Sequence, residues 1–155
     1  MQTFLFADDT ALLMSGPNML DLQNTVNDEL KSVQKWLVQN KLTLNLNKTN
    51  YLLFHPAKEK QSHHFLLNFD GNKLMQTNES KYLRVFIDAK FNWKAHILHL
   101  TSLVAQSIGV LYKIRHFLSK NLVKIPCNAF IKSKLSYAIT LWASAYKSDL
   151  HKLNV

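Results

Sequence analysis

Two adjacent carboxylates, Asp8 and Asp9, are the residues of this chain best suited to do chemistry. They lie between two runs of strand-forming residues, so the sequence predicts a β-hairpin over residues 2–14 with the acidic pair at its turn. Neighbouring carboxylates repel each other, and a divalent cation removes that cost. A rigid hairpin holding such a pair suits a two-metal site for phosphoryl transfer, although aspartate is also a common turn residue.

Charge is distributed unevenly along the 155 residues. The 19 Lys and Arg outnumber the 10 Asp and Glu, which gives a net charge of +9. Residues 1–30 hold five acids and no Lys or Arg, whereas residues 31–155 hold all 19 bases and five acids. A basic body of this kind fits either a polyanionic partner, usually nucleic acid, or a solvated basic surface.

Composition excludes several classes of protein. The apolar share of 47% is too high for a disordered chain, and three glycines leave no Gly-rich phosphate loop. A single cysteine, Cys127, excludes an internal disulfide and a multi-cysteine zinc site. Residues 1–14 carry two acids and no basic region, so they are not a signal peptide. We therefore expect an intracellular protein of the cytoplasm or nucleus, not secreted and with no membrane partner.

The clearest helix is predicted from Asn18, a capping residue, to Asn40, which is expected to end it in a left-handed conformation. Its apolar residues recur at steps of three and four and share one face, which Trp36 widens. The members of this stripe are Leu22, Val26, Leu30, Val33 and Leu37.

Short strands are predicted after this helix. Alternation over residues 42–47 predicts one strand, and residues 51–55 predict another after a turn at Asn47-Lys48. Residues 56–64 are predicted to form a polar loop, and 81–87 a last strand. Between them, Asp70-Gly71-Asn72 predicts a further hairpin.

The period of apolar residues becomes helical after Asp88. A long helix is predicted from Trp93 to Leu118, followed by helical segments to Ala145 that Pro126 interrupts. The predicted fold class is therefore α+β, with a β-hairpin, a helix and short antiparallel strands followed by helices, and with a domain boundary after residue 88.

Residues 6–10, FADDT, resemble the [F/Y]-A-D-D motif of reverse transcriptases. Four further blocks resemble segments of the same family and follow in the family's order. They are NKLTLNLNKTNYLLF at 40–54, YLRVFID at 82–88, FNWKAHI at 91–97 and IKSKLSYAITLW at 131–142. Over essentially its whole length, the chain resembles the reverse transcriptases of non-LTR retrotransposons, in the jockey-like or a related branch.

This resemblance implies an architecture and a metal site. Residues 1–88 would be the C-terminal part of a polymerase palm, and residues 89–155 a truncated helical thumb. Asp8 matches the metal-binding aspartate of the palm hairpin and Asp9 its neighbour, with Mg²⁺, or alternatively Mn²⁺, as the metal. Lys48 matches the basic residue that assists departure of pyrophosphate as a general acid, although a turn lysine is more often merely exposed.

The same resemblance assigns residues to the nucleotide and the primer. Phe6 and Ala7 match positions beside the primer end and the incoming nucleotide. Tyr82, Leu83 and Arg84 match the primer-grip segment, in which Arg84 replaces the usual glycine and adopts a special dihedral only at a cost.

Basic and aromatic residues of the helical part are the remaining candidates. Aromatic residues fall at apolar helical positions, and most of them are expected in the core rather than stacked on bases. His96 and His99 complete no zinc pattern and are expected to be structural. The aromatic set is Trp93, Tyr112, Phe117, Tyr137 and Trp142, and the bases expected to contact a nucleic-acid backbone are Lys113, Arg115, Lys120 and Lys124.

The reaction implied for the parent protein is addition of deoxynucleotides to a DNA primer on an RNA template. The family also uses an aspartate and a fingers region upstream of the hairpin, so we expect the 155-residue chain alone to have little or no polymerase activity. Whether it is an enzyme stays open. The alternatives are a non-catalytic nucleic-acid-binding module and a non-functional product of a truncated element copy.

Overall fold

The computed structural model describes residues 1–54 and 65–153. The chain divides into two compact units, Met1–Leu83 (the N-terminal unit) and Arg84–Val155 (the C-terminal unit). The two units meet at residues 83 and 84, five residues before the domain boundary that the change in apolar periodicity suggested. The reason is that Val85 is already buried in the core of the C-terminal unit. The predicted polar loop 56–64 lies outside the described residues.

The predicted N-terminal hairpin is confirmed. Strand β1 (Gln2–Phe6) pairs antiparallel with β2 (Asp9–Leu13), and the last pair of the register joins Phe6 to Asp9. Only Ala7 and Asp8 therefore lie in the loop. No residue of either strand is buried, so the hairpin is an open two-stranded ribbon.

Helix α1 (Met19–Gln39) begins as predicted, since the Asn18 side chain accepts a hydrogen bond of 3.0 Å from the Leu20 N–H. Leu30 is buried, and the other members of the predicted stripe pack around it. Trp36 is 51% exposed, so the prediction that it widens the stripe is wrong. Its indole lies on the solvent side of the helix.

The end of α1 differs from the prediction by one residue. Asn40 has a φ of −89°, and the left-handed residue is Lys41, with a φ of 56°. The Leu42 N–H donates to the Leu37 carbonyl at 2.9 Å, and the Lys41 N–H donates to the Val38 carbonyl at 3.1 Å. These two bonds form a Schellman motif, which requires the left-handed residue one position after the cap.

The predicted strand over residues 42–47 is wrong. A 3₁₀ turn occupies Leu46–Lys48, and the Thr49 hydroxyl donates to the Asn45 carbonyl at 2.8 Å. This local hydrogen bond offers the backbone an alternative to a strand ladder. The following strand, β3 (Asn50–Tyr51), is shorter than the predicted 51–55.

The Asp-Gly hairpin is confirmed, with short strands β4 (Asn68–Phe69) and β5 (Asn72–Lys73). Asp70 and Gly71 both have positive φ, at 49° and 73°, as a type I′ turn requires. The next strand, β6 (Met75–Gln76), pairs parallel with β3, so the expectation of only antiparallel strands is wrong at this point.

Side-chain amides of α1 complete the hydrogen bonding of residues 66–68. Gln23 accepts from the Leu66 N–H at 2.8 Å, while Asn27 donates to the Leu66 carbonyl at 3.2 Å and accepts from the Asn68 N–H at 2.9 Å. This brings the segment onto the helix and closes the first core. The buried residues of that core are Leu30, Leu53, Phe65, Leu67, Phe69 and Leu74.

The strand predicted over residues 81–87 is wrong as a single element. It is divided into β7 (Glu79–Tyr82), in the N-terminal unit, and β8 (Val85–Asp88), in the C-terminal unit. Leu83 and Arg84 form the turn between them, with φ values of 45° and 66°. No glycine, proline or asparagine marks this turn in the sequence, which is why periodicity alone missed it.

The helical second half is confirmed. Helix α2 (Lys94–Ile114) continues into a 3₁₀ turn at Arg115–Phe117, and α3 (Lys120–Cys127) follows. Pro126 lies inside α3, and a π turn at Asn128–Lys132 carries the helical path onward instead of ending it. Three short helices come next: α4 (Ser133–Ser136), α5 (Ile139–Trp142) and α6 (Lys147–Leu150).

The core of the C-terminal unit forms around one face of α2. Ile97 has no exposed surface, and Trp93 and Trp142 lie against it. The buried apolar residues of this core are Val85, Trp93, Ile97, Leu100, Trp142 and Ala145.

One described helical span, Lys94–Phe117, is long and apolar enough to cross a membrane by length and composition, with a mean hydropathy of 1.4. The core helix of a soluble protein passes the same test. One face of this span forms the core just described, so its length and composition do not by themselves show that it crosses a membrane.

Candidate metal and nucleic-acid sites

The hairpin turn holds the two predicted metal-binding carboxylates next to each other. Asp8 is the second loop residue, and Asp9 opens β2 opposite Phe6. Ala7 has a φ of 51°, and a positive φ at only the first of two loop residues is the pattern of a type II′ turn. Both carboxylates are exposed, so the turn presents them to solvent rather than to the core.

The acidic pair fits part of a magnesium site. Carboxylate oxygens are the ligands that Mg²⁺ takes from proteins, and two adjacent side chains supply two of them. In residues 1–54 and 65–153 there is no group of three or more His, Cys, Asp or Glu placed to hold a metal ion. Among the described residues the pair alone therefore falls short of the carboxylates that a two-metal centre needs.

Phe6 and Lys48, two further predicted site residues, are both accessible. The Phe6 side chain is 62% exposed at the end of β1, beside Ala7. Lys48 is exposed on the Leu46–Lys48 turn, and in the described part of the chain no ion pair joins it to Asp8 or Asp9. The structure thus brings Phe6 and Ala7 to the acidic turn and places Lys48 on a separate turn of the N-terminal unit.

The predicted primer-grip residues form the turn between β7 and β8. Tyr82 and Leu83 are half-buried, and Arg84 is exposed. Leu83 and Arg84 both have positive φ, so Arg84 occupies the second position of a type I′ turn, where glycine is preferred. This geometry explains why a glycine suits this position, and arginine holds it under strain.

Replacing Arg84 by glycine should stabilise the protein by about 1 kcal/mol, because glycine adopts a φ of 66° without a Cβ clash. Urea unfolding followed by circular dichroism measures the change. Lys81→Gly, in the adjacent strand β7, is the matched control and should lower the stability by about 0.5–1 kcal/mol. A lower stability for Arg84→Gly would contradict the turn geometry.

Asp88 has a structural role that sequence reasoning missed. Its Oδ1 accepts from the Lys90 N–H at 3.0 Å and the Asn92 N–H at 3.1 Å, and its Oδ2 accepts from the Trp93 N–H at 2.8 Å. Phe91 and Trp93, in this turn, both have left-handed backbone. One carboxylate therefore closes the turn that leads into α2; the signal in the sequence is an aspartate between a strand pattern and a helical pattern.

His96 is a buried histidine that has one hydrogen-bond partner among the residues that the structure describes. Its Nδ1 accepts from the Phe86 N–H at 3.4 Å, so the neutral ring carries its proton on Nε2, which has no partner in the described structure. Its ring centroid lies 6.0 Å from that of Trp142. Burial, and secondarily the neighbouring His99, lower the pKa of His96 below the ordinary histidine value.

Acid should therefore destabilise the C-terminal unit through His96. A base whose pKa is lower in the folded state contributes its full stability above the unfolded pKa of about 6.5 and loses it as the pH falls below that value. The free energy of unfolding, measured from pH 8 downwards, should fall less steeply in His96→Gln than in the unchanged chain. His116→Gln, at an exposed histidine, should leave the pH profile unchanged; equal profiles for all three proteins would contradict the prediction.

The basic residues of the C-terminal unit lie in a region without acids. Residues 89–148 contain nine Lys and Arg and no Asp or Glu. Lys113 and Arg115 are exposed at the end of α2, and Lys124 is exposed on α3. Lys120 begins α3, and its side chain lies outside the described part of the structure. The exposed positions are compatible with contacts to a polyanion.

The expectation that the aromatic residues form the core is confirmed for two of them. Trp93 and Trp142 are buried. Tyr112 is 60% exposed, Phe117 is 87% exposed and Tyr137 is 48% exposed, so that expectation is wrong for these three. Apolar periodicity does not separate the buried from the exposed aromatic residues, because it shows which residues share a helix face and not which neighbours cover that face.

Comparison with curated proteins supports a protein related to reverse transcriptases. It is 27% identical over 154 residues to the RNA-directed DNA polymerase from mobile element jockey of Drosophila funebris. The alignment covers 97% of this chain and 16% of that polymerase, so the chain spans about one sixth of its length. No family model matches the chain, and no solved structure matches it.

Proposed function

We propose that this chain is a palm and thumb segment of the reverse transcriptase of a non-LTR retrotransposon. Residues 1–88 would belong to the palm and residues 89–155 to the thumb. The observation that carries the proposal is the tight hairpin, which presents Asp8 and Asp9 together. The chain that holds this hairpin aligns over 97% of its own length with part of a mobile-element polymerase.

The hairpin residues have distinct roles in this proposal. Asp8 and Asp9 hold Mg²⁺, or Mn²⁺, together with a carboxylate from outside the described residues. When bound, the metal activates the primer hydroxyl and neutralises charge on the departing pyrophosphate. The exposed Phe6 ring packs beside the incoming deoxynucleotide, and Lys48 donates a proton to the leaving group.

We further propose that the 155-residue chain does not polymerise by itself, because its described carboxylates form only part of a two-metal centre. Primer extension on an RNA template with purified chain and Mg²⁺ should show no product above the background of an Asp8→Ala control. Magnesium-dependent synthesis that Asp8→Ala abolishes would contradict the inactivity while supporting the polymerase assignment.

Nucleic-acid binding without catalysis is the second candidate function, and the acid-free basic region 89–148 favours it. Affinity for a primer–template duplex should fall at least about tenfold between about 50 and 200 mM salt, because several phosphate contacts release counterions. Filter binding measures this fall. Lys124→Gln should make this fall in affinity with salt shallower. Lys31→Gln should not, because the Lys31 ammonium pairs with Asp28 in the N-terminal unit. Absence of binding at low salt would exclude this candidate.

A further inference from the structure

We propose that the end of α2, residues Tyr112 to Phe117, binds unpaired bases of single-stranded nucleic acid by stacking. The inference deepens the proposed nucleic-acid role of the C-terminal unit and rests on it. It assigns to this surface a substrate class, unpaired nucleotides, rather than a duplex backbone alone.

The first observation is an exposed stack of two planar side chains. The Arg115 guanidinium carbon lies 3.8 Å from the centroid of the Tyr112 ring, and both residues are exposed. The arginine thus covers one face of the tyrosine in a cation–π contact. Such a pair presents a flat, positively charged surface on which a nucleobase stacks readily, since bases stack on both aromatic rings and guanidinium planes.

The second observation is Phe117, which is 87% exposed at the end of the 3₁₀ turn that follows α2. Water contacts most of its ring, and this contact is unfavourable for an apolar surface. A stacked base removes the ring from water, and every base offers a flat face for this contact. Phe117 therefore supplies a second stacking position close in sequence to the Tyr112–Arg115 pair.

Charge supports a polyanion as the occupant. Lys113, next to Tyr112 in the sequence, is exposed, and the nearest acids along the chain are Asp88 and Asp149. Lys113 and Arg115 also interact favourably with the negative end of the α2 dipole, which explains their positive charge structurally. That effect does not require an exposed phenylalanine or a planar arginine stack, whereas base stacking uses both.

The test distinguishes binding to nucleobases from binding to the phosphate backbone. Fluorescence anisotropy of the full chain is measured with a labelled single-stranded RNA, with an abasic oligonucleotide of equal length, and with a matched duplex. The base-containing strand should bind at least about fivefold more tightly than the abasic strand, since each stacked base contributes measurably to affinity. Phe117→Ala and Tyr112→Ala should each reduce this ratio, and Arg115→Lys should reduce it while keeping the charge. Phe130→Ala, an exposed phenylalanine on the π turn, is the matched control and should leave the ratio unchanged.

The outcomes distinguish the inference from the proposed function. Equal affinity for the base-containing and abasic strands overturns the stacking inference, while salt-dependent duplex binding still supports the nucleic-acid role. No binding to any of the three oligonucleotides overturns both. Phosphatidylserine vesicles provide a further arm: binding to vesicles that Phe117→Ala abolishes, without preference for bases, identifies a lipid surface as the partner and overturns the inference. Circular dichroism spectra confirm that each variant is folded.

Discussion

Replacing Trp142 by alanine should destabilise the C-terminal unit by about 3–5 kcal/mol. The indole is 4% exposed, lies in the core with Ile97 and Trp93, and donates from Nε1 to the Tyr137 carbonyl at 3.0 Å. The substitution removes a large apolar side chain and leaves a cavity beside the buried His96 ring. It also removes the donor that bonds to Tyr137 next to the left-handed residue Ala138.

Urea unfolding monitored by circular dichroism measures this loss. Trp36→Ala provides the matched control, because Trp36 is 51% exposed on α1 and its removal should cost less than about 1 kcal/mol. The loss of stability for Trp142→Phe should lie between those of Trp142→Ala and Trp36→Ala, since phenylalanine retains most of the apolar volume but not the hydrogen bond. Similar losses for Trp142→Ala and Trp36→Ala would show that the core is not formed as described.

Replacing Asp88 by alanine should lower the stability of the C-terminal unit by about 2–4 kcal/mol. The carboxylate accepts three backbone hydrogen bonds, from Lys90, Asn92 and Trp93, and these bonds hold the turn between β8 and α2. Without them the three N–H groups lose their acceptor, and the left-handed backbone at Trp93 loses its support. Because Trp93 is buried, opening of this turn also disturbs the core.

Two further variants sharpen this prediction. Asp88→Asn retains one acceptor oxygen and should show an intermediate loss. Asp28→Ala removes a carboxylate that forms an exposed ion pair with Lys31, and it should cost less than about 1 kcal/mol. A loss for Asp88→Ala as small as that for Asp28→Ala, measured by thermal and urea unfolding, would show that the turn does not depend on its carboxylate.

Resemblance to a family predicted a class of related proteins, whereas the roles of individual residues are still proposals. The FADDT segment and the blocks that follow it were sufficient to identify a relationship to RNA-directed DNA polymerases, and the alignment to a jockey polymerase supports this relationship. The individual roles of Lys48, Tyr82 and Arg84 remain proposals. The structure adds a conformational reason for one of them, since the backbone at Arg84 is the kind that favours glycine.

Local patterns in the sequence determined the elements that depend on near neighbours. The hairpin carrying Asp8, the Asp70-Gly71 turn, the Asn18 cap of α1 and its apolar stripe all follow from residues within a few positions of one another. The change from strands to helices after Asp88 belongs to the same group. Such features are encoded by side-chain spacing and turn chemistry, which act over short distances along the chain.

Only the three-dimensional structure decided the features that side-chain spacing and turn residues do not mark. The turn at Leu83–Arg84 carries no turn residue, and the 42–47 segment alternates like a strand without forming one. Trp142 is buried and Phe117 is exposed, although both occupy apolar helical positions in the sequence. The physical reason is that a helix or strand pattern specifies which residues share a face, whereas the neighbours that cover this face come from remote parts of the chain.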